Sequence, residues 1–255
     1  MDITAIIIFH GEKFLAPTSI TSFLKCCEYA KNAGIHVERL AIVDQPDPIT
    51  KKILESYASR FDSIEFVNFG DLGKSRNAGR EIARGKYVAF FDGDDLWGHE
   101  WLVRANIEAE RQNSEGIVYH PHVIYYFSAD DYLIQSQNKR APKEAKSYHF
   151  LQQDSEGPKF DPRTLLFNNI WTANSFGLRS IYERFPYLAV DQESGFGVED
   201  WTWNLETVVS KIRHFIVPET VHCIRVKNEG SLSAQNVRNC IIPPFHRYAA
   251  QLEFA

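Results

Sequence analysis

Asp92, Asp94 and Asp95 stand within four residues, at the end of the apolar run KYVAFFD (86–92). Carboxylates at i and i+2 around a glycine can turn onto one hard divalent cation. Mn²⁺ or Mg²⁺ would take one or two of them and leave positions open for diphosphate oxygens. Gly93 would let a ligand approach the backbone closely. A solvated turn in which Asp95 caps a helix is the alternative, and the strand in front of the cluster favours the cation.

Four other segments carry groups of the same kind. DLGKSRNAG (71–79) brings Asp71, Lys74 and Arg76 to a helix start, with Gly73 and Gly79 permitting tight turns. That is a candidate phosphate cradle, although basic residues in a helix's first turns usually face solvent. Asp44 ends an apolar run, where it could accept from a nucleobase N–H or a ribose hydroxyl, or simply cap the next turn. Glu199 and Asp200 open a helix in GFGVEDWTW (195–203). There an aspartate can serve as a general base, or as an ordinary helix cap. In HCIRVKNEGSLS (222–233), His222, Arg225 and Lys227 could reach a metal or a diphosphate if their strand returns to the same rim.

The intervening pattern supplies such a rim. ITAIIIF (3–9), VERLAIVD (37–44), SIEFVNF (63–69) and KYVAFFD (86–92) are apolar, β-rich runs of the kind buried on both sheet faces. Helical spacing fills 18–33, 48–61, 74–85 and 99–113 between and after them, and GIVYHPHVIYYF (116–127) follows as a further strand. The alternation predicts a mostly parallel α/β sheet flanked by helices, whose ligands bind beyond the carboxyl ends of the strands. Asp44, Asp71 and Asp92 fall at those ends. Residues 128–163 are polar and irregular, with room for a hairpin inside; RHFIVPETVHCIRV (213–226) reads as paired strands.

Composition limits the classes. The chain has 255 residues with a formal net charge of −5, so bulk electrostatics give it no reason to coat nucleic acid. Its four cysteines form no CxxC pair, which suits a reducing compartment and argues against a zinc site. No stretch approaches the roughly 20 apolar residues of a membrane span. The start, MDITAIIIFHGEKF, reads as a first strand and not a signal peptide. No composition break marks a second domain.

The five segments, in this order, resemble family 2 inverting glycosyltransferases of GT-A fold. GKSRNAGREIARGKYVAFFDGDD (73–95) is similar to that family's core, GVEDW (197–201) to its E-D pair and IRVKNEGSLS (224–233) to its last motif. The resemblance implies one GT-A domain over 1–255, with a nucleotide-sugar half at 1–115 and an acceptor half, partly antiparallel, at 116–255. It implies that Asp44 contacts the base, Arg76 the sugar or diphosphate, Asp92 the ribose or donor, that Asp94 binds the metal, and that Asp200 is the catalytic base. His10, Asp71 and Gly93 would line the nucleotide-sugar site. Lys227 stands where the family has a histidine; a protonated lysine ligates no cation but could pair with diphosphate, leaving His222 as a candidate ligand. Trp171, Trp201 and Trp203 could stack on sugars or fill the core, with Asn174 and Glu199 beside the acceptor. The expected reaction moves a sugar from a nucleotide diphosphate sugar to a glycan or lipid-linked acceptor in bacterial surface polysaccharide synthesis. The expected location is cytoplasmic, with peripheral membrane contact through PPFHRYAAQLEFA (243–255). A sugar-phosphate nucleotidyltransferase would want a Gly-rich basic loop where FHGEKFLAP stands. A non-catalytic carbohydrate-binding module would not need both DGDD and the E-D pair.

Overall fold

A computed structural model describes residues 1–139, 144, 146–227 and 232–253. Its strands, in chain order, are β1 (Ile3–Phe9), β2 (Val37–Asp44), β3 (Ser63–Val67), β4 (Tyr87–Asp92), β5 (Leu96–Trp97), β6 (Ile117–Phe127), β7 (Tyr148–Leu151), β8 (Phe176–Leu178) and β9 (Arg213–Arg225). The helices are α1 (Ala16–Asn32), α2 (Pro48–Ser56), α3 (Leu72–Ile82), α4 (Trp101–Gln112), α5 (Ala129–Asn138), α6 (Arg179–Arg184), α7 (Glu199–Val209), α8 (Leu232–Arg238) and α9 (Ala249–Glu253). Among the described residues the strands form one sheet in the order β3-β2-β1-β4-β8-β6-β9-β5, with β7 on the side of β6.

The first half follows the apolar pattern. Every residue of β1 is buried, because β2 and β4 flank it in parallel and helices cover both faces. Strand order runs outward from β1 to β3 on one side and resumes with β4 on the other. That reversal opens a crevice beyond the carboxyl ends of β1 and β4. Ile8 and Asp92 are register partners there. On one face α1 and α4 pack with Phe23, Phe91 and Trp101. On the other, α3, α6 and α7 close over Ile6, Phe90, Tyr182 and Trp203.

The second half departs from the predicted alternation. β6 does not pair with β4; the short β8 lies between them, antiparallel to both. Its buried Phe176 stacks on Tyr87 with ring centroids 5.0 Å apart. The predicted paired strands at 213–226 are one strand, parallel to β6, with a register shift opposite Pro121–Val123. Glu219 takes a left-handed φ of 57° and Thr220 accepts the His122 N–H, so Pro218-Glu219-Thr220 makes a bulge and not a reversal. Within 128–163 the structure has α5 and β7, the latter forming a hairpin arm on β6. Residues 140–143 and 145 of that stretch, 228–231 of the last motif and 254–255 of the C-terminal segment lie outside the described residues. Among the described residues no helix is long and apolar enough to cross a membrane.

Candidate active site

Two clefts meet at the end of β4. The first, near 420 Å³, is lined by His10, Glu12, Asp44, Asp71, Gly93, Asp94, Arg225 and Lys227. A Cβ on Gly93 would stand 2.4 Å from the Phe9 ring and 2.7 Å from the Ile8 carbonyl, so the glycine is set by close approach to β1. Asp44 is 4% exposed, and its carboxylate accepts from the N–H groups of Phe69, Gly70 and Asp71 and from the Ser75 hydroxyl. It anchors the turn between β3 and α3 with the oxygens expected to meet a base. The His10 ring is placed by its Nδ1, 2.5 Å from the Asp44 carbonyl. Asp71 caps α3 by accepting from Lys74 N–H and also accepts from Val190 N–H, so the helix N-terminus is already met by a carboxylate. The predicted cradle therefore changes character. Gly73 and Gly79 lie inside α3, where a Cβ would meet Leu188 O at 2.5 Å and Ile6 Cγ2 at 2.7 Å respectively.

The three aspartates after β4 are each engaged. Asp92 accepts from Arg76 Nη2 at 2.7 Å and Asn174 Nδ2 at 3.2 Å. Asp95, 5% exposed, pairs with His222 Nε2 at 2.9 Å and accepts the Arg225 N–H at 3.0 Å. Burial pushes its carboxyl up to about 6, against the pull of His222. Asp94 faces the cleft, with Lys227 Nζ 2.5 Å from Oδ2. The residues do not fit the divalent cation expected of them. His222, the other expected ligand, is fully buried, stacked on Trp97 with both rings 3° from parallel, and held at both nitrogens by Asp95, Asn174 and Thr172. Among the described residues no three Cys, His, Asp or Glu side chains converge to hold a metal.

The second cleft, near 460 Å³, lies on the other side of Asp92 and is lined by Tyr126, Phe150, Asn169, Glu199, Asp200 and Trp201 among others. Arg76 belongs here and not to the first cleft. It is 1% exposed, pairs with Asp92 and has its Nε 3.7 Å from Glu199 Oε1. Burial opposes its charge, but Asp92 and Glu199 outweigh that and hold it protonated. One guanidinium thus faces three acids, Asp92, Glu199 and Asp200. Burial and the neighbouring Asp200 push Glu199 up to about 8. Burial also raises Asp200, but Arg76 and the Trp201 N–H pull the other way. Asp200 has donors that Glu199 lacks: Trp201 N at 2.7 Å to Oδ1 and Asn169 Nδ2 at 2.9 Å to Oδ2. These donors favour the ionised form of Asp200 over that of Glu199. Asn204 donates to Asn169 Oδ1 at 2.8 Å and to the Trp171 carbonyl, which fixes the Asn169 amide.

The tryptophans divide. Trp171, 1% exposed, donates to Gln153 O and packs on His214 at 4.1 Å. Trp203, 2% exposed, donates to Phe185 O and stacks on Tyr182. Both are core and present no face to a sugar. Trp201 donates to Leu165 O and stays half-buried on the cleft wall. Asn174, expected at the acceptor, is fully buried and ties Asp92 to His222.

Residues 4–166 match the family model of Glycosyl transferase family 2. The chain belongs to glycosyltransferase family 2. Over 84 residues it is 36% identical to EpsJ of Bacillus subtilis, an uncharacterized glycosyltransferase; the match spans 32% of this chain and 24% of EpsJ. Over 81 residues it is 32% identical to a poly(ribitol-phosphate) beta-glucosyltransferase of Bacillus spizizenii, spanning 30% of this chain and 13% of that protein. The matches thus cover a quarter or less of these relatives' lengths. Among solved structures, residues 1–349 of S. aureus TarS in complex with UDP-GlcNAc superpose with a TM-score of 0.64 at 16% identity, covering 92% of this chain and 61% of that one. The complex of the same TarS fragment with UDP gives 0.61 at 15% identity, covering 94% and 70%. The fold is GT-A.

Within this family 2 chain, the sequence pattern passed over Glu12, Asn169 and Asn204. Glu12 accepts the His10 N–H beside Asp94 and Lys227, and burial pushes its carboxyl up to about 7. Nothing in the spacing around position 169 announces a contact with Asp200, since 31 residues separate them. Asn77 had a signal, its place beside Arg76, and its amide grips the Tyr187 backbone in both directions.

Proposed function

We propose that the protein transfers a sugar from a nucleotide diphosphate sugar to an acceptor hydroxyl, with inversion at the anomeric carbon. The observation that carries this reading is the pair of clefts divided by Asp92, with the anionic Asp200 on the far side from the donor cleft. A donor in the first cleft would present its anomeric carbon toward Asp92. An acceptor in the second would bring its hydroxyl to Asp200. In one displacement the acceptor oxygen bonds to the anomeric carbon, the carbon–oxygen bond to the diphosphate breaks, and Asp200 takes the hydroxyl proton. The donors from Trp201 and Asn169 occupy one site on each Asp200 oxygen and leave the carboxylate able to accept that proton. Positive charge growing on the sugar ring would face Asp92.

TarS was crystallised with UDP-GlcNAc, which supports a nucleotide sugar as donor here. The B. spizizenii relative is a poly(ribitol-phosphate) beta-glucosyltransferase, which supports a polymeric acceptor, glycan or lipid-linked, for this chain. Tyr126, Phe150 and Trp201 offer ring surface to the acceptor. The test is nucleoside diphosphate release from a panel of nucleotide sugars, with donor binding measured separately. Asp200→Asn should lower turnover by roughly 10²–10⁴-fold while donor affinity stays within a few-fold. Turnover near that of the natural protein would remove Asp200 from the base role, and product of retained anomeric configuration would remove the single displacement.

A further inference from the structure

We infer that Lys227 and Arg225 together take the charge of the departing diphosphate, in place of a divalent cation. The inference rests on the transferase reading above and concerns its donor cleft. Both side chains line that cleft. Lys227 Nζ sits against Asp94 Oδ2, with side-chain exposures of 23% and 16%, so the pair is sheltered yet open to a ligand. Burial works against the Lys227 charge, and Asp94 and Glu12 more than restore it. Arg225 is held by three contacts. Its Nε donates to the Asp94 carbonyl at 3.0 Å, its backbone N–H donates to Asp95, and its guanidinium lies 4.8 Å over the Phe127 ring. The second contact fixes the backbone and the other two fix the plane of the guanidinium.

Asp94 is the carboxylate through which a divalent cation would enter. Asp92 and Asp95 are committed to Arg76, Asn174, His222 and the Arg225 backbone, and His222 has neither nitrogen free. A cation at Asp94 would have to share it with an ammonium at hydrogen-bond distance, and like charges that close repel. The ammonium needs no such addition. As the bond from the anomeric carbon breaks, its electron pair passes to the diphosphate oxygen. Lys227 and Arg225 are already charged and held in place to receive that oxygen, without reorganisation. Lys supplies the point charge and Arg the planar fork.

Calorimetry with UDP and GDP on the whole chain tests this, first in excess EDTA and then in excess Mn²⁺. The tighter of the two nucleotides should bind with a dissociation constant equal within about 2-fold in both buffers. In EDTA, Lys227→Ala should weaken it by roughly 10-fold or more, about 1.4 kcal/mol, and Lys227→Arg should restore most of the loss. Circular dichroism and urea melts confirm that each variant is folded. Natural protein that binds tenfold more tightly in Mn²⁺, or a folded Lys227→Ala that binds as the natural protein does, overturns the inference while leaving the transferase reading intact. Absence of binding of either nucleotide in either buffer overturns both.

Discussion

Glu199→Gln isolates the proton that the acidic cluster around Arg76 must hold. Glu199 ionises near 4.5 in the unfolded chain and is pushed up to about 8 in the fold by burial and by Asp200. Between those values the native state binds a proton that the unfolded state has released. Stability therefore falls as pH rises through this window, by up to about 1.4 kcal/mol per pH unit, and is fully present only below the lower value. Glutamine has the shape of the neutral acid and cannot titrate. The variant should match the natural protein in stability at about pH 4.5 and below and gain on it as pH rises, by a further ~2–3 kcal/mol between roughly pH 5.5 and 7.5. Urea melts of both proteins at three pH values across that interval read the difference directly. Other groups titrating there, such as Glu12 and Asp95, are common to both and cancel. Parallel stability curves would refute the reasoning. If instead Asp200→Asn showed the rising gain, the proton would sit on Asp200, and it would be the wrong group for the base.

Asn169→Ala removes the 2.9 Å donor to Asp200 Oδ2. A hydrogen bond to a charged group is worth about 1.5–3 kcal/mol and favours the anion, so the acid limb of the kcat/KM profile should move up by roughly 1–2 pH units; an unmoved limb with reduced kcat would make Asn169 merely structural. Gly93→Ala forces a Cβ against the Phe9 ring and the Ile8 carbonyl; a urea melt should show a loss of about 1–3 kcal/mol, with weakened nucleotide binding, and a neutral result would mean that β1 and β4 can separate there. Trp203→Ala should cost about 3–5 kcal/mol by the same measurement, as for a buried core ring, whereas Trp201→Ala should raise KM for the acceptor at a smaller stability cost. Equal stability losses for the two would put Trp201 in the core as well.

What could be read from the sequence was local. β1, β2 and β4 announce themselves because strands buried on both faces carry near-continuous apolar runs. The same pattern, followed to its carboxyl ends, leads to the crevice and to Asp92. β8 could not be read in this way: it is three residues long and exists because Phe176 finds Tyr87, 89 residues earlier in the chain. Nor could the direction in which Arg76 points. Its helix start suggested phosphate, but a guanidinium on the buried face of α3 turns to Asp92 and Glu199, and the cations that line the first cleft come instead from β9 and the residues beyond it. The predicted strand pairing within 213–226 is absent because Thr220 satisfies the His122 N–H across a bulge, so one ladder continues past Pro218.

Arg76 also explains why the two clefts keep a fixed relation. It lies on α3, yet the acids it faces come from β4 and from α7, which are 107 residues apart between Asp92 and Glu199 and belong to the two halves of the chain. A buried charge of this kind adds little net stability beyond what apolar residues would give, because desolvation offsets the attraction. Its removal is another matter: Asp92 and Glu199 would lose the one guanidinium that faces both. The cluster is thus better understood as a tie that fixes β4 and α7 in one relation than as a source of stability. That is why the proposed base on α7 and the Asp92 end of β4 would be disturbed together in an Arg76 variant, although neither is the residue changed.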